Sequence, residues 1–483
     1  MSEPVSQKLA QVGPTFAVDP QMLASIGSAA KPRRVYQTTV TPPRSMPGEI
    51  GSLAAIKAMH GTWFEGIAYD ERMRARYGEV YRSMYLAQPI IVVNDPDEIH
   101  KILRNEQQAW SCATAWDYLF FDGLNREGGN PGSLLTLDFD AHRGLRKLMQ
   151  PAFSSSAIAG YIGTVQPLFE AEIARWIAVG EVAVKPALEA RFPFISNHLL
   201  TGIDNPALLA RFDRALRAIS FGGQAVVPER YRFLSPVFIQ ARRAYGFLTD
   251  FFVPLASQRR AQPGVDLFSQ VSQTAGRDSE LSDHAAVRSF ITMMLGAHDS
   301  TALGLINATY LLAKHPEWQA RLREEALAVS RLDWAGLQKL EQLDWVWKES
   351  LRLIPVTPYV PRRALRDVEI LGHQVKAGSL VAPMAGVAGR DPRWWTQPLR
   401  FDPERFSPER AEHKRHPAIF SPFGGGAHVC IGMQLATLEA KVFFHYLLTH
   451  CRFELTREYP VKHGWRPLGR VSGKVSVRFT ALR

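Results

Sequence analysis

The segment Phe423-Gly424-Gly425-Gly426-Ala427-His428-Val429-Cys430-Ile431-Gly432 constrains this chain more than any other. Four glycines surround one cysteine, and a helix-patterned run follows over about 431–449. Taken alone, a single cysteine is usually a small buried hydrophobe. A glycine-rich loop before a helix can cradle phosphate, but no Gly-Lys-Ser/Thr ending follows here. Zinc needs further Cys or His at ligand spacing, and His428 has no second pair to complete such a set. A thiolate at a helix N-terminus makes better sense, because the N–H groups and the macrodipole favour the anion and lower the thiol pKa.

Glycines at 424, 425, 426 and 432 leave room for a flat, bulky cofactor against the backbone. Backbone N–H groups can then point at the sulfur and tune it. A single thiolate with no other protein ligand suits haem iron. The other two cysteines, Cys112 and Cys451, read as plain thiols, and three in 483 residues cannot build a disulfide scaffold.

Composition narrows the class further. Hydrophobic residues make up 46% and charged residues 21%, which excludes a disordered chain, a collagen and a coiled coil. Lys and Arg number 57 against 46 Asp and Glu, a surplus of 11. No basic stripe or known module accompanies that surplus, so nucleic acid is not expected as a partner. Residues 1–30 lack the apolar core of a signal peptide or an N-terminal anchor, and a cytoplasmic protein is expected. Residues 289–313 are long enough to span a bilayer, but His298 and Asp299 stand at their centre, where charge is costly in lipid. A helix buried in a large protein fits better, and its mid-helix acid then needs a purpose.

Residues 1–50 are rich in Pro and Ser and read as an extended arm; 51–483 read as one domain, without linker or repeat. Two short strands are expected over 79–94, then a helix opened by Asp95, Pro96 and Asp97. Helical patterning dominates from about 140, through 165–178, 206–220, 236–260, 284–314, 316–330 and 335–353. Strands are expected at 359–383 and 451–482. Between them, 390–429 is long and without period, as functional or disordered loops are. The prediction is a mainly α chain with a small β region.

These residues together carry a resemblance. The loop matches Phe-x-x-Gly-x-x-x-Cys-x-Gly through Phe423, Gly426, Cys430 and Gly432, and resembles that of the cytochrome P-450 family of haem-thiolate monooxygenases. The family's Glu-x-x-Arg is matched by Glu349 and Arg352, and its later structural Arg by Arg405 in Phe401-Asp402-Pro403-Glu404-Arg405-Phe406. Gly296-Ala297-His298-Asp299-Ser300-Thr301 resembles the oxygen-activation motif, with Ala297 for the usual second Gly and Ser300 where Thr is usual. His142-Arg143-Gly144-Leu145-Arg146 resembles the family's propionate-binding segment.

The resemblance, covering about residues 75–480, implies the triangular helical prism around a buried haem b. It implies Cys430 as axial iron ligand and Asp299 and Ser300, with Thr301 beside them, as proton-delivering groups; helix back-bonding is the alternative for the Ser300 hydroxyl. It makes His142, Arg146, His428 and Arg363 candidate propionate partners, with Arg362 competing for the last place. Glu349, Arg352 and Arg405 become a structural trio. No reductase is fused to the chain. Electrons are therefore expected from a ferredoxin or flavodoxin and its NAD(P)H-dependent reductase, docking at Arg143, Arg146 and Lys147, a face without acids. Trp116 and Phe120 in the aromatic 110–121 loop, residues 192–196, Leu295, Ala297, Val356 and Tyr359 are the expected distal pocket. Their apolar character favours a lipid-, terpenoid- or steroid-like substrate. A partner-independent peroxygenase or isomerase and a non-catalytic haem sensor are the alternatives.

Overall fold

The computed structural model describes residues 40–85, 88–116, 132–223, 234–277, 282–457, 463–465 and 468–482. Residues 117–121 of the aromatic 110–121 loop, Phe120 among them, and residues 1–39 of the arm lie outside the described residues.

Among the described residues the first elements are helices α1 (Ser52–Phe64) and α2 (Ile67–Tyr77), strands β1 (Val80–Tyr85) and β2 (Gln88–Val93), helix α3 (Pro96–Arg104), strand β3 (Trp110–Ser111) and helix α4 (Ala113–Trp116). A helical stretch follows: α5 (Phe139–Met149), α6 (Ser155–Val179), β4 (Glu181–Ala183), α7 (Val184–Thr201), α8 (Pro206–Gly223), α9 (Pro236–Ala261), α10 (Leu267–Arg277), α11 (Asp283–Lys314), α12 (Pro316–Leu327), α13 (Trp334–Gln338) and α14 (Glu341–Leu353). Then come β5 (Arg362–Ala364), β6 (Val368–Ile370), β7 (His373–Val375), β8 (Leu380–Pro383), α15 (Ala385–Ala388), α16 (Met433–His450), β9 (Cys451–Leu455), β10 (His463–Trp465), β11 (Gly469–Val471) and β12 (Ser476–Ala481).

Local chemistry sets these bounds. Asp95 caps α3 by accepting from the Glu98 N–H, Pro96 follows at the first position, and Asn105 closes the helix in the left-handed region. Ser282 caps α11 through the Ala285 N–H, and that helix ends before Pro316, whose ring disfavours a helical residue ahead of it. Helix α7 was not expected as a helix: Pro186 and Pro193 interrupt its pattern, yet the burial of its neighbours outweighs the N–H that Pro193 lacks. The expected helix 335–353 is two, α13 and α14, separated at Lys339 and Leu340.

Helix α11 is the centre of the core. From Thr301 to Ala313 every residue is buried, packed among α7, α9, α14 and α16. Five strands in the order β1-β2-β8-β5-β3 make the larger sheet, with Val80 opposite Val93 and Ile91 beside Val381 in parallel. Strands β4, β12 and β9 make a second sheet. The end of the arm is tied down: Met46 is buried, and Gly48 lies so close to Arg82 that a Cβ there would meet its carbonyl oxygen at 2.0 Å. Among the described residues, no helix is long and apolar enough to cross a membrane.

Residues 390–429 have little regular structure but are held firmly by charge. Glu349 and Arg352 on α14 and Arg405 are fully buried; Arg352 Nε donates to Glu349 Oε2 at 2.6 Å and Arg405 Nε to Glu349 Oε1 at 3.1 Å. Arg405 Nη1 reaches on to Glu412 at 3.0 Å, a fourth member that the motif pattern does not contain. Remaining donors are met by backbone: Arg352 Nη1 donates to the carbonyls of Gly389 and Pro398. The network pins α14 to the loop that leads into the cysteine segment.

Candidate active site

The cysteine segment folds as a tight loop before α16. Cys430 N–H donates to Phe423 O at 2.9 Å, and the Gly432 and Met433 N–H groups point at the sulfur. The Cys430 side chain is accessible, yet protein surrounds it closely on its other sides. That crowding pushes the thiol up, outweighing the two N–H groups and the nearby Arg146. The helix terminus alone therefore does not lower this thiol, contrary to the sequence expectation; a coordinated metal would, since it deprotonates a thiol outright.

Gly426 has its own reason. Its φ is +62°, and a Cβ would fall 2.0 Å from the Leu103 carbonyl oxygen on α3. Its smallness serves the seating of the loop on α3. At Gly432, by contrast, an added Cβ would sit 3.9 Å from the Cys430 sulfur, beside the open side of the site.

Several basic side chains converge beside this loop. His142 on α5 stacks on His428, ring centroids 3.9 Å apart. Arg146, one turn along α5, donates to Val429 O at 2.7 Å. His142 is buried, and its Nδ1 has no hydrogen-bond partner. Burial and the charges of His428 and Arg146 drive its pKa down to about 3. His428 is raised instead: burial opposes this, but Cys112 and Asp138 favour its charged form. Cys112 is thus no plain thiol, since Arg362 and His428 lower its pKa against the effect of burial. Cys451 is buried, donates to Leu447 O and is pushed up to about 12.

Adjacent strand residues point to opposite faces, and this separates Arg362 from Arg363. Arg362 exerts its charge on His142, His428 and Cys112. Arg363 Nη1 instead donates to the Gly378 carbonyl. The structure therefore groups Arg362 with His142, Arg146 and His428, and places Arg363 elsewhere.

On α11 the three motif residues diverge. Ser300 Oγ donates to Gly296 O at 2.7 Å, the back-bond that the sequence left open. Thr301 is buried and bonds Glu439 on α16, whose carboxyl burial pushes up to about 8. Asp299 Oδ1 lies 2.9 Å from Nδ1 of His298, and His298 Nε2 lies 2.8 Å from Oδ1 of Asp213 on α8. Burial raises the Asp299 pKa, but His298 and Arg217 outweigh it and leave it lowered. Asp213 and Glu439 were not singled out in the sequence, because only the fold brings them to the motif residues.

The expected pocket residues also part. Leu295 and Ala297 are half-buried against the main core, and Val356 is buried in it. Tyr359 packs with the larger sheet, edge-on to Tyr85 with centroids 5.7 Å apart. Trp116 ends α4, half-buried. Residues 192–196 lie within α7, where Phe192 and Ile195 are fully buried in the main core and Phe192 stacks on Phe169. Nor is the expected docking face free of acids: exposed Arg143 is ion-paired to Asp140, and Arg146 turns inward to the cysteine loop. Lys147 is exposed. On another side of the loop lies a hollow of about 420 Å³, lined by Trp334, Trp347, Phe423, Val429 and Met433.

Comparison with known proteins decides the family. The cytochrome P450 family model matches residues 227–474, and cytochrome P450 136 of Mycobacterium tuberculosis is 36% identical over 334 residues, 67% of each chain. This chain belongs to the cytochrome P450 family. A cholesterol 22-hydroxylase of Paris polyphylla is 24% identical over 85% of this P450 and 86% of the relative. An abscisic acid 8'-hydroxylase 3 of Oryza sativa is 27% identical over 79% of this P450 and 75% of the relative. In fold, the P450 matches a retinoic acid-bound cyanobacterial CYP120A1 with a TM-score of 0.78 at 22% identity, over 92% of this chain and all of that one. The P450 is accordingly a haem-dependent monooxygenase that uses O2, an organic substrate and redox partners.

Proposed function

We propose that this P450 hydroxylates or epoxidises an apolar, isoprenoid-like molecule, using haem b whose iron Cys430 would hold. The observation that carries the assignment of the ligand is the accessible Cys430 thiol, faced by the Gly432 and Met433 N–H groups and by Arg146. The surrounding residues fit the group: His142, Arg146, Arg362 and His428 supply positive or donor groups for its two carboxylates, and the unpartnered Nδ1 of His142 is a donor or acceptor awaiting one. When bound, the haem supplies oxygen activation, which a thiolate ligand promotes by favouring O–O cleavage.

The chain's own residues supply protons and shape. Ser300 keeps its hydroxyl hydrogen on Gly296, so its oxygen is an acceptor that fixes a water or a substrate oxygen. Asp299, ionised and one residue before it, is the group that delivers protons. Leu295, Ala297 and Val356 offer apolar surface to the substrate. Relatives named for cholesterol and abscisic acid, both isoprenoid-derived, support that substrate class. Asp299→Asn should lower product formation by about a hundredfold or more while spin-state shifts on substrate binding persist. Unchanged product formed per electron pair would remove Asp299 from proton delivery.

Electrons come, on this reading, from a separate acidic ferredoxin or flavodoxin. Arg143 and Lys147 are the exposed cations of the docking face, weakened by Asp140. The rate of reduction should fall steeply as salt rises past about 0.1 M, where charges more than about 10 Å apart are screened. A rate independent of ionic strength would exclude electrostatic docking.

A further inference from the structure

Helices α8 and α11 are joined at the motif turn by one buried imidazole. His298 is 3% exposed, and each ring nitrogen faces a carboxylate: Nδ1 to Asp299 Oδ1 at 2.9 Å, Nε2 to Asp213 Oδ1 at 2.8 Å. A carboxylate only accepts, so both nitrogens must donate, and only imidazolium has two N–H groups. Charge agrees with geometry. Arg217, one turn along α8, donates to both oxygens of Asp213 at 3.0 and 3.1 Å. Asp213, Asp299, Arg217 and His298 sum to zero only when His298 is protonated. From α7, Glu189 adds its backbone carbonyl, which accepts from Arg217 Nη2 at 2.9 Å, and its carboxylate acts on Arg217.

We propose that His298 is a positioning residue that holds Asp299 on one side and Asp213 of α8 on the other, so that proton delivery and the attachment of α8 to α11 are governed by one bridge. The proton-delivery half rests on the role given above to Asp299. While the bridge is closed, Asp299 is ionised with one oxygen engaged. Passing the Nδ1 proton to Asp299 Oδ1 makes the acid a donor and leaves His298 neutral, still bonded to Asp213 through Nε2–H. Once the acid has passed its proton on, a proton from solvent taken up by the partly exposed Asp299 returns to the vacant Nδ1 and restores the imidazolium.

Burial lowers the affinity of His298 for its proton, but Asp213 and Asp299 outweigh burial and its pKa is raised. The sign follows: the bridge is complete below the ordinary histidine value of about 6.5 and is lost as pH rises through the raised folded value.

Three isosteric or near-isosteric variants separate the parts. Amide hydrogen exchange of α8, measured across this pH range, should rise severalfold in the wild type as the bridge opens. Asp213→Asn and His298→Gln should show fast exchange at all pH values, and Asp213→Asn should move the alkaline fall in product per NADPH to lower pH. Wild-type exchange and an unchanged pH profile in both variants would overturn the proposal. Asp299→Asn is the control for the underlying reading: if it leaves product formation intact, the proton-delivery half falls with that reading, and the exchange of α8 alone decides the latch.

Discussion

Glu349→Ala should cost about 3–5 kcal/mol of stability, the range for breaking one partner out of a buried ion pair. Glu349 is fully buried and accepts from Arg352 Nε and Nη2, from Arg405 Nε and from the Asp402 N–H. Its removal leaves two guanidinium groups facing one remaining buried carboxylate, Glu412. Backbone carbonyls of Gly389, Pro398 and Thr396 still accept from them, so the loss is charge and not every hydrogen bond. A domain is stable by about 5–15 kcal/mol in all, so the loss is a large fraction of the total. Glu349→Gln keeps an acceptor for the Asp402 N–H and should fall between the two. Thermal unfolding of the three proteins at matched haem content checks this. An alanine variant that melts with the wild type would show that the network carries no net stability.

Cys430→Ser should abolish monooxygenation while leaving the fold intact. The sulfur is accessible and fills no packed core, so the smaller hydroxyl opens no cavity. The backbone bond from the residue to Phe423 O is untouched. What is lost is the ionisable, polarisable ligand, because a serine hydroxyl does not ionise as a thiol does. Far-UV circular dichroism should match the wild type and turnover should vanish. Cys451→Ser, at a buried thiol bonded only to Leu447 O, should keep turnover. Retention of activity by the Cys430 variant would remove the thiol from the chemistry.

The readable parts of this molecule were those whose chemistry is local. The loop around Cys430 carries its pattern within ten residues, and the α3 cap needs only Asp95 and Pro96. Helix α11 announced itself through length and apolarity, and its mid-helix acid through cost. Partners remote in sequence stayed hidden. Glu412 completes the ion network from beyond the motif, and Asp213 meets His298 across 85 positions. Arg362 and Arg363 could not be separated without the strand's facing, which pairing with β8 and β3 fixes. Helix α7 was concealed by two prolines, so its Phe192 was read as pocket lining when it is core. Ser300 and Thr301 are adjacent in sequence, yet a helical step of about 100° sends one hydroxyl to Gly296 and the other to Glu439.

The most direct measurement is the reduced carbon monoxide difference spectrum of the purified wild type beside Cys430→Ser. A thiolate ligand predicts the red-shifted Soret band from which the family takes its name in the wild type, and its complete loss in the variant. A wild type without that band, or a variant that retains it, would contradict Cys430 as the haem ligand.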